Sequence, residues 1–157
     1  MIRQFETEDI NQLVDLLEEN AKDAKAEGYA EFDTQRIITM VKSFHNQPNR
    51  DLLLAWHGSQ LVGHAIISAH RKVWGNDMLG EIHLFFIRPE HRKGFIAKDL
   101  WQGCYDWFRK RDCVCMMANV QAWDKDYAPC KDWIESGERF YNALMTPVGS
   151  CYVREIV

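Results

Sequence analysis

The residues able to do chemistry in this chain concentrate in one stretch, Glu81 to Leu100, EIHLFFIRPEHRKGFIAKDL. An acid, Glu81, and an imidazole, His83, stand two apart in an apolar run, and residues two apart on a strand share a face. The run stops at Pro89, a basic loop with one glycine follows (Arg92-Lys93-Gly94), and a helical pattern then begins. A strand–loop–helix turn of this kind gathers backbone N–H groups and the positive end of a helix at one point, which suits a phosphate. The stretch therefore offers an anion cradle beside groups able to accept and pass a proton.

Length and composition bound what can hold that stretch. A chain of 157 residues with 46% hydrophobic and 27% charged residues suits a single domain over 1–157 with a full core. No apolar run approaches the roughly 20 residues of a membrane span. The start, MIRQFETEDINQL, is acidic where an export signal would be basic and then apolar, so a cytoplasmic protein is expected. Five cysteines without CxxC spacing fit reduced, buried thiols. Cys113 and Cys115 are two apart, but a zinc site there needs ligands the sequence does not supply. His45, His57, His64 and His70 show no metal spacing either, and no metal is expected. With a net charge of −4, neither nucleic acid nor membrane is an expected partner. Acids crowd residues 1–33, while Arg88, Arg92, Lys93, Lys98, Arg109, Lys110 and Arg111 crowd residues 88–111. Solvated helix faces explain most such runs; an anionic ligand at the second region is the functional alternative.

The elements follow from periodicity. Ile2–Phe5 starts a strand, and Thr7 is placed to cap a helix with Ile10, Leu13, Val14 and Leu17 on one face. Asp33 or Thr34 caps a second helix. Asp51–Trp56, a turn at His57-Gly58-Ser59-Gln60, and Leu61–Ala69 form a hairpin, and Glu81–Ile87 completes a meander as a central strand covered on both faces. The helix after the basic loop buries Ala97, Leu100, Trp101, Cys104, Trp107 and Phe108. A buried strand over Cys113–Val120, a polar stretch to Pro129, a helix over Cys130–Leu144 and a strand over Cys151–Ile156 end the chain. The order β-α-α-β-β-β-α-β-α-β predicts a mixed α/β fold, a central mixed sheet with helices on both faces.

That order, with these residues, resembles the GNAT superfamily of acyl-CoA-dependent N-acetyltransferases. The family signature is [Q/R]-x-x-G-x-[G/A] at the strand-to-helix turn, often framed by P-E-[Y/H]-R. Pro89-Glu90-His91-Arg92 fits the frame, and Arg92-Lys93-Gly94-Phe95-Ile96-Ala97 falls on the signature. Arg92 and Ala97 match; Phe95 stands at the central glycine, with Gly94 one position earlier. The resemblance implies that residues 92–97 hold the pyrophosphate of acetyl-CoA, used as a cosubstrate. It also implies that the pantetheine arm adds like a strand along the backbone of Phe85, Phe86 and Ile87. Asn119 sits where several relatives place an Asn that contacts the cofactor.

Acetyl transfer to an amine needs an uncharged nucleophile, yet an alkylammonium with a pKa of about 10 is almost all protonated at neutral pH. A base is required, directly or through water. Glu81 lies eleven residues before Arg92, the spacing of the general base in the histone-acetyltransferase branch. His83 extends a water relay, or is a structural, hydrogen-bonded imidazole. Arg139-Phe140-Tyr141-Asn142-Ala143-Leu144 resembles the family's F-Y-x-x-x-G-F, so Tyr141 is the candidate donor to the departing thiolate; Met145 and Thr146 replace the Gly-Phe. The implied acceptor is a small-molecule or peptide amine, with the acidic N-terminal helices favouring a cationic one, in a monomer or homodimer. Two alternatives stand beside this: an acyl-CoA-binding or partner-binding module of the same fold without turnover, and an unrelated nucleotide binder, disfavoured by the lack of GxGxxG and GxxxxGK[ST].

Overall fold

In the computed structural model, residues 1–23, 32–44, 47–72, 75–92, 94–118 and 131–145 are described. They fall into two compact units, Met1–Asn20 with Asp33–Ala118, and Ala21–Phe32 with Asn119–Val157. The first holds a five-stranded sheet in the order β1-β2-β3-β4-β5, from β1 (Ile2–Gln4), β2 (Arg50–His57), β3 (Gln60–Arg71), β4 (Met78–Ile87) and β5 (Cys113–Ala118). Successive strands pair antiparallel except β4 with β5, which run parallel and are joined by α3 (Ile96–Arg109). The sheet is thus mixed, as the sequence predicts.

Helices cover both faces. On one, α3 packs Leu100, Cys104, Trp107 and Phe108 onto Leu53, Ala55, Ala65, Ile67, Ala69, Ile82 and Ile87. Trp107 also donates its indole N–H to the Asp51 carboxylate at 2.7 Å, which ties α3 to the start of β2. The alternate residues Leu52, Leu54, Val62 and Ile66 are equally buried, and α1 (Ile10–Asp23) and α2 (Thr34–Phe44) carry the buried Leu13, Leu16, Leu17 and Val41. Asn20 of α1 meets the buried His64 of β3 at 3.3 Å on this second face. Burial alone pushes the His64 imidazole down to about 3, so it sits neutral in the core. Asp33 caps α2 by accepting from the Arg36 N–H at 2.9 Å. Thr7 does not cap α1: residues Thr7–Asp9 form a short 3₁₀ turn, and Asp9 accepts from the Glu6 N–H at 2.9 Å.

Several strand limits differ from expectation. β3 runs on to Arg71 and β4 starts at Met78, so the connection is shorter than the polar composition of 71–79 suggests. β4 is not covered on both faces throughout, since His83 is exposed and Leu84 is 42% exposed. β5 is half open as well: Val114 and Met117 are exposed, while Cys113, Met116 and Ala118 pack toward the α3 cluster. The second unit contains α4 (Lys131–Asn142); the final strand expected over Cys151–Ile156 lies outside the described residues. No helix among the described residues is long and apolar enough to cross a membrane.

Candidate active site

The site is built on β4, and a bulge shapes it. Opposite β3, Leu84 pairs with Ile66 and Ile82 with Ile67, so His83 is an extra residue with no cross-strand partner. Glu81 pairs with Ser68 on one side and with Met117 on the other, and directly paired residues point to the same face. On that face His83 Nε2 lies 2.7 Å from Ser68 Oγ, and His83 Nδ1 lies 3.8 Å from Glu81 Oε1. Glu81 and His83 are thus neighbours, as their spacing predicts. Both reach solvent, with side-chain exposures of 26% and 43%. Ser68 is buried. The carboxylate is partly exposed, beside an imidazole and, across the pairing with β5, the exposed Met117.

Past Glu81 the strand continues through Phe85, Phe86 and Ile87, which pair with Ala65, His64 and Gly63 of β3. Pairing with β5 is described only as far as Ile82 with Ala118. Gly63 is required by close approach: a Cβ there would lie 2.7 Å from the Phe86 carbonyl oxygen and 2.3 Å from Ile87 Cδ1. The chain then turns through Pro89–His91. Arg92 folds back, donating from Nε to the Ile87 carbonyl at 2.9 Å with its guanidinium 5.6 Å from the Phe86 ring centre. It fastens the loop to the end of β4.

Gly94 and Phe95 lead into α3. Gly94 is outside the left-handed region, and a Cβ there would meet nothing nearer than the His91 carbonyl at 3.9 Å. Phe95, at φ −78° and ψ −10°, has ordinary helical geometry, and its side chain is 81% exposed. The backbone therefore tolerates Phe where the signature has glycine. The first helical bond is from the Asp99 N–H to the Phe95 carbonyl at 2.8 Å, and no side chain caps the helix. The N–H groups of Ile96, Ala97 and Lys98 come before that bond and have no acceptor in the helix. An exposed helix start with three such donors is chemically matched to a pyrophosphate. Lys93 and Asn119 lie outside the described residues.

The charge pattern explains less than it promised. Arg88 forks onto Glu19, with both bonds at 2.7 Å. Arg111 donates to the Pro48 carbonyl and stacks 3.5 Å above Trp107. With Arg92 turned back on Ile87, three of the seven cations in residues 88–111 are committed to the fold. Arg109–Arg111 are also about 20 Å along α3 from its N-terminus. What suits an anion here is the set of backbone donors at the start of α3 more than the net charge.

A model of the Acetyltransferase (GNAT) family matches residues 11–128. The chain belongs to the GNAT acetyltransferase family. Its fold agrees with solved structures over nearly the whole length. A ribosomal-protein-alanine N-acetyltransferase from Brucella melitensis biovar Abortus superposes with a TM-score of 0.75 at 19% identity, covering 99% of this chain and 98% of that one. A transcriptional regulator from Bacillus halodurans gives a TM-score of 0.77 at 17% identity, covering 100% and 99%. An aminoglycoside acetyltransferase from an uncultured soil metagenomic sample, solved with sisomicin, gives 0.72 at 12% identity, covering 100% and 94%. A search of curated protein sequences finds no match. The GNAT family uses acetyl-CoA as cosubstrate; among the described residues, the uncapped start of α3 offers backbone donors of the kind a pyrophosphate accepts.

Tyr141 belongs to the second unit. It lies near the end of α4, half-buried, with its ring edge-on to Phe140 at 5.4 Å. Its carbonyl accepts from the Leu144 and Met145 N–H groups, which closes the helix. Cys104 is excluded as an acyl carrier: burial pushes its thiol up to about 12. Among the described residues, no group of three or more His, Cys, Asp or Glu is arranged to hold a metal. Ser68 went unnoticed in the sequence. It is the one hydroxyl in the apolar run LVGHAIISA, and only the hairpin register reveals that it faces Glu81.

Proposed function

We propose that this chain is an N-acetyltransferase that moves the acetyl group of acetyl-CoA directly to a primary amine in a ternary complex, within a single domain over 1–157. The observation that carries the reading is the continuity of β4. The same strand presents the partly exposed Glu81 carboxylate and, a few residues on, feeds a loop ending at an uncapped helix start. Glu81 takes a proton from the acceptor ammonium, directly or through water, so that the amine can attack. The N–H groups of residues 92–97 hold the pyrophosphate, and the backbone of Phe85, Phe86 and Ile87 lines the pantetheine arm, with Asn119 as a further contact. Tyr141 donates to the departing thiolate. Bound acetyl-CoA supplies the activated thioester. A small-molecule or peptide amine as acceptor agrees with relatives whose names specify ribosomal-protein alanine and aminoglycoside acetylation.

The variants Glu81→Gln and Tyr141→Phe test the roles. Removing a general acid or base costs about 10²–10⁴-fold in rate, so each variant loses at least about 100-fold in kcat while the KM for acetyl-CoA stays within a few-fold. Unchanged kcat in both would refute the assigned roles. The rival reading, an acyl-CoA-binding module without turnover, predicts cofactor binding with no acetylated amine.

A further inference from the structure

We propose that Ser68 is a positioning residue: its hydroxyl donates to His83 Nε2 and fixes the imidazole with its proton on Nδ1, directed at the Glu81 carboxylate. The inference rests on the reading of Glu81 as the base and adds how that base is held. Three observations carry it. Ser68 Oγ and His83 Nε2 are 2.7 Å apart, a good O–H···N distance, and Ser68 is buried while the ring is partly exposed. Ser68 is the direct cross-strand partner of Glu81, so hydroxyl, ring and carboxylate share one face. The bulge takes His83 out of the strand pairing, and the ring stands between the other two groups, 2.7 Å from the hydroxyl and 3.8 Å from the carboxylate.

The chemistry of the donors sets the direction of the chain. At 3.8 Å the Glu81 carboxylate is beyond direct hydrogen-bond reach, but its negative charge favours the neutral ring whose hydrogen is on the nitrogen turned toward it. Nε2 is then a lone pair, and the Ser68 hydroxyl at 2.7 Å is placed to donate to it. If the ring gains a proton, the same Oγ rotates to accept instead, because a serine hydroxyl does both. Ser68 therefore keeps the ring in place in either state. The bond made by one ring nitrogen determines the role of the other. From β3 the group facing the ring is Ser68, from β4 it is Glu81, and the β5 residue beside Glu81 is Met117, which carries no charge. No covalent bond forms or breaks at Ser68 or His83.

The test is the ring spectrum of ¹⁵N-histidine-labelled full-length protein at neutral pH, with His83 assigned by its disappearance in His83→Gln. The expected spectrum shows a protonated Nδ1 and an unprotonated Nε2. In Ser68→Ala the single tautomer gives way to a mixture, and Ser68→Thr restores it. In turnover, Ser68→Ala lowers kcat roughly tenfold, the worth of one hydrogen bond, leaves the KM for acetyl-CoA unchanged, and recovers with Ser68→Thr. A wild-type His83 with its proton on Nε2 overturns the proposal even if Ser68→Ala fails to fold. So does a Ser68→Ala spectrum identical to wild type. If the spectra are as expected but no amine is acetylated, the functional reading fails and the arrangement of Ser68 and His83 stands.

Discussion

Replacing Gly94 with alanine separates the demands of the fold from those of the cofactor. In the structure a Cβ at residue 94 has open space, with its nearest neighbour at 3.9 Å, and the backbone is outside the left-handed region. Gly→Ala at a compatible position stabilises by about 0.4–1 kcal/mol, by removing freedom from the unfolded chain. For a chain of this length 1 kcal/mol moves Tm by about 2–4 °C, so Gly94→Ala raises Tm by about 1–4 °C. The cofactor predicts the opposite sign. The loop is read as one whose N–H groups approach a pyrophosphate, and a methyl group at its glycine holds the phosphate off. Losing one charge-assisted hydrogen bond of about 1.5–3 kcal/mol weakens acetyl-CoA by about 10- to 100-fold. The assay is a pair of thermal melts per protein, without ligand and with acetyl-CoA at a fixed concentration about 100 times the wild-type Kd, where wild type gains about 2.7 kcal/mol. Expected is a variant that melts higher alone and gains less from acetyl-CoA. A variant that melts lower without ligand refutes the loop geometry; one that gains as much as wild type refutes the assignment of the pyrophosphate to this loop.

Other expectations follow from packing and burial. Gly80→Ala puts a Cβ 2.5–2.8 Å from three ring atoms of the buried Phe108, and overpacking of about 1–3 kcal/mol lowers Tm by roughly 2–12 °C; a melt within 1 °C of wild type contradicts that contact. His64 is neutral in the fold, with its value lowered to about 3 against an ordinary 6.5. The unfolded chain therefore binds the extra proton between those values, and stability falls as pH falls below about 6.5, by up to about 1.4 kcal/mol per unit. Urea midpoints at pH 7 and pH 5 measure a loss of about 2 kcal/mol from this group, and His64→Leu flattens the slope. Cys104 stays unmodified by iodoacetamide at pH 8 in the folded protein, while the exposed Cys115 reacts; peptide mass spectrometry reads both, and early labelling of Cys104 contradicts its burial.

What was legible in the sequence was whatever local chemistry decides. Alternating apolar runs give the meander, the Asp33 cap starts α2, and the stripe Leu100, Cys104, Trp107, Phe108 is the buried side of α3. The neighbourhood of Glu81 and His83 follows from the two-residue period of a strand. What was not legible depends on register or on long-range partners. The bulge at His83 exists only relative to β3, and it leaves His83 without a cross-strand partner. Ser68 is one hydroxyl in a run of apolar residues until the hairpin sets it opposite Glu81. The basic cluster misled for the same reason: Arg88 is taken by Glu19, 69 residues earlier, and Arg111 by the Pro48 carbonyl, and neither partner can be read from composition. Phe95 looked like a defect in the signature, yet its φ of −78° shows that the backbone there needs no conformation special to glycine.

The central claim is acetyl transfer to an amine, and thiol release from acetyl-CoA by the wild-type protein tests it most directly. The account predicts release that depends on an added primary amine, drawn from a panel of aminoglycosides, polyamines and peptides with free N-termini, with acetylated amine formed in equal amount. Acetyl-CoA that raises the melting temperature but yields no amine-dependent thiol with any member of the panel would contradict it, and would leave a binding module with the fold of an acetyltransferase.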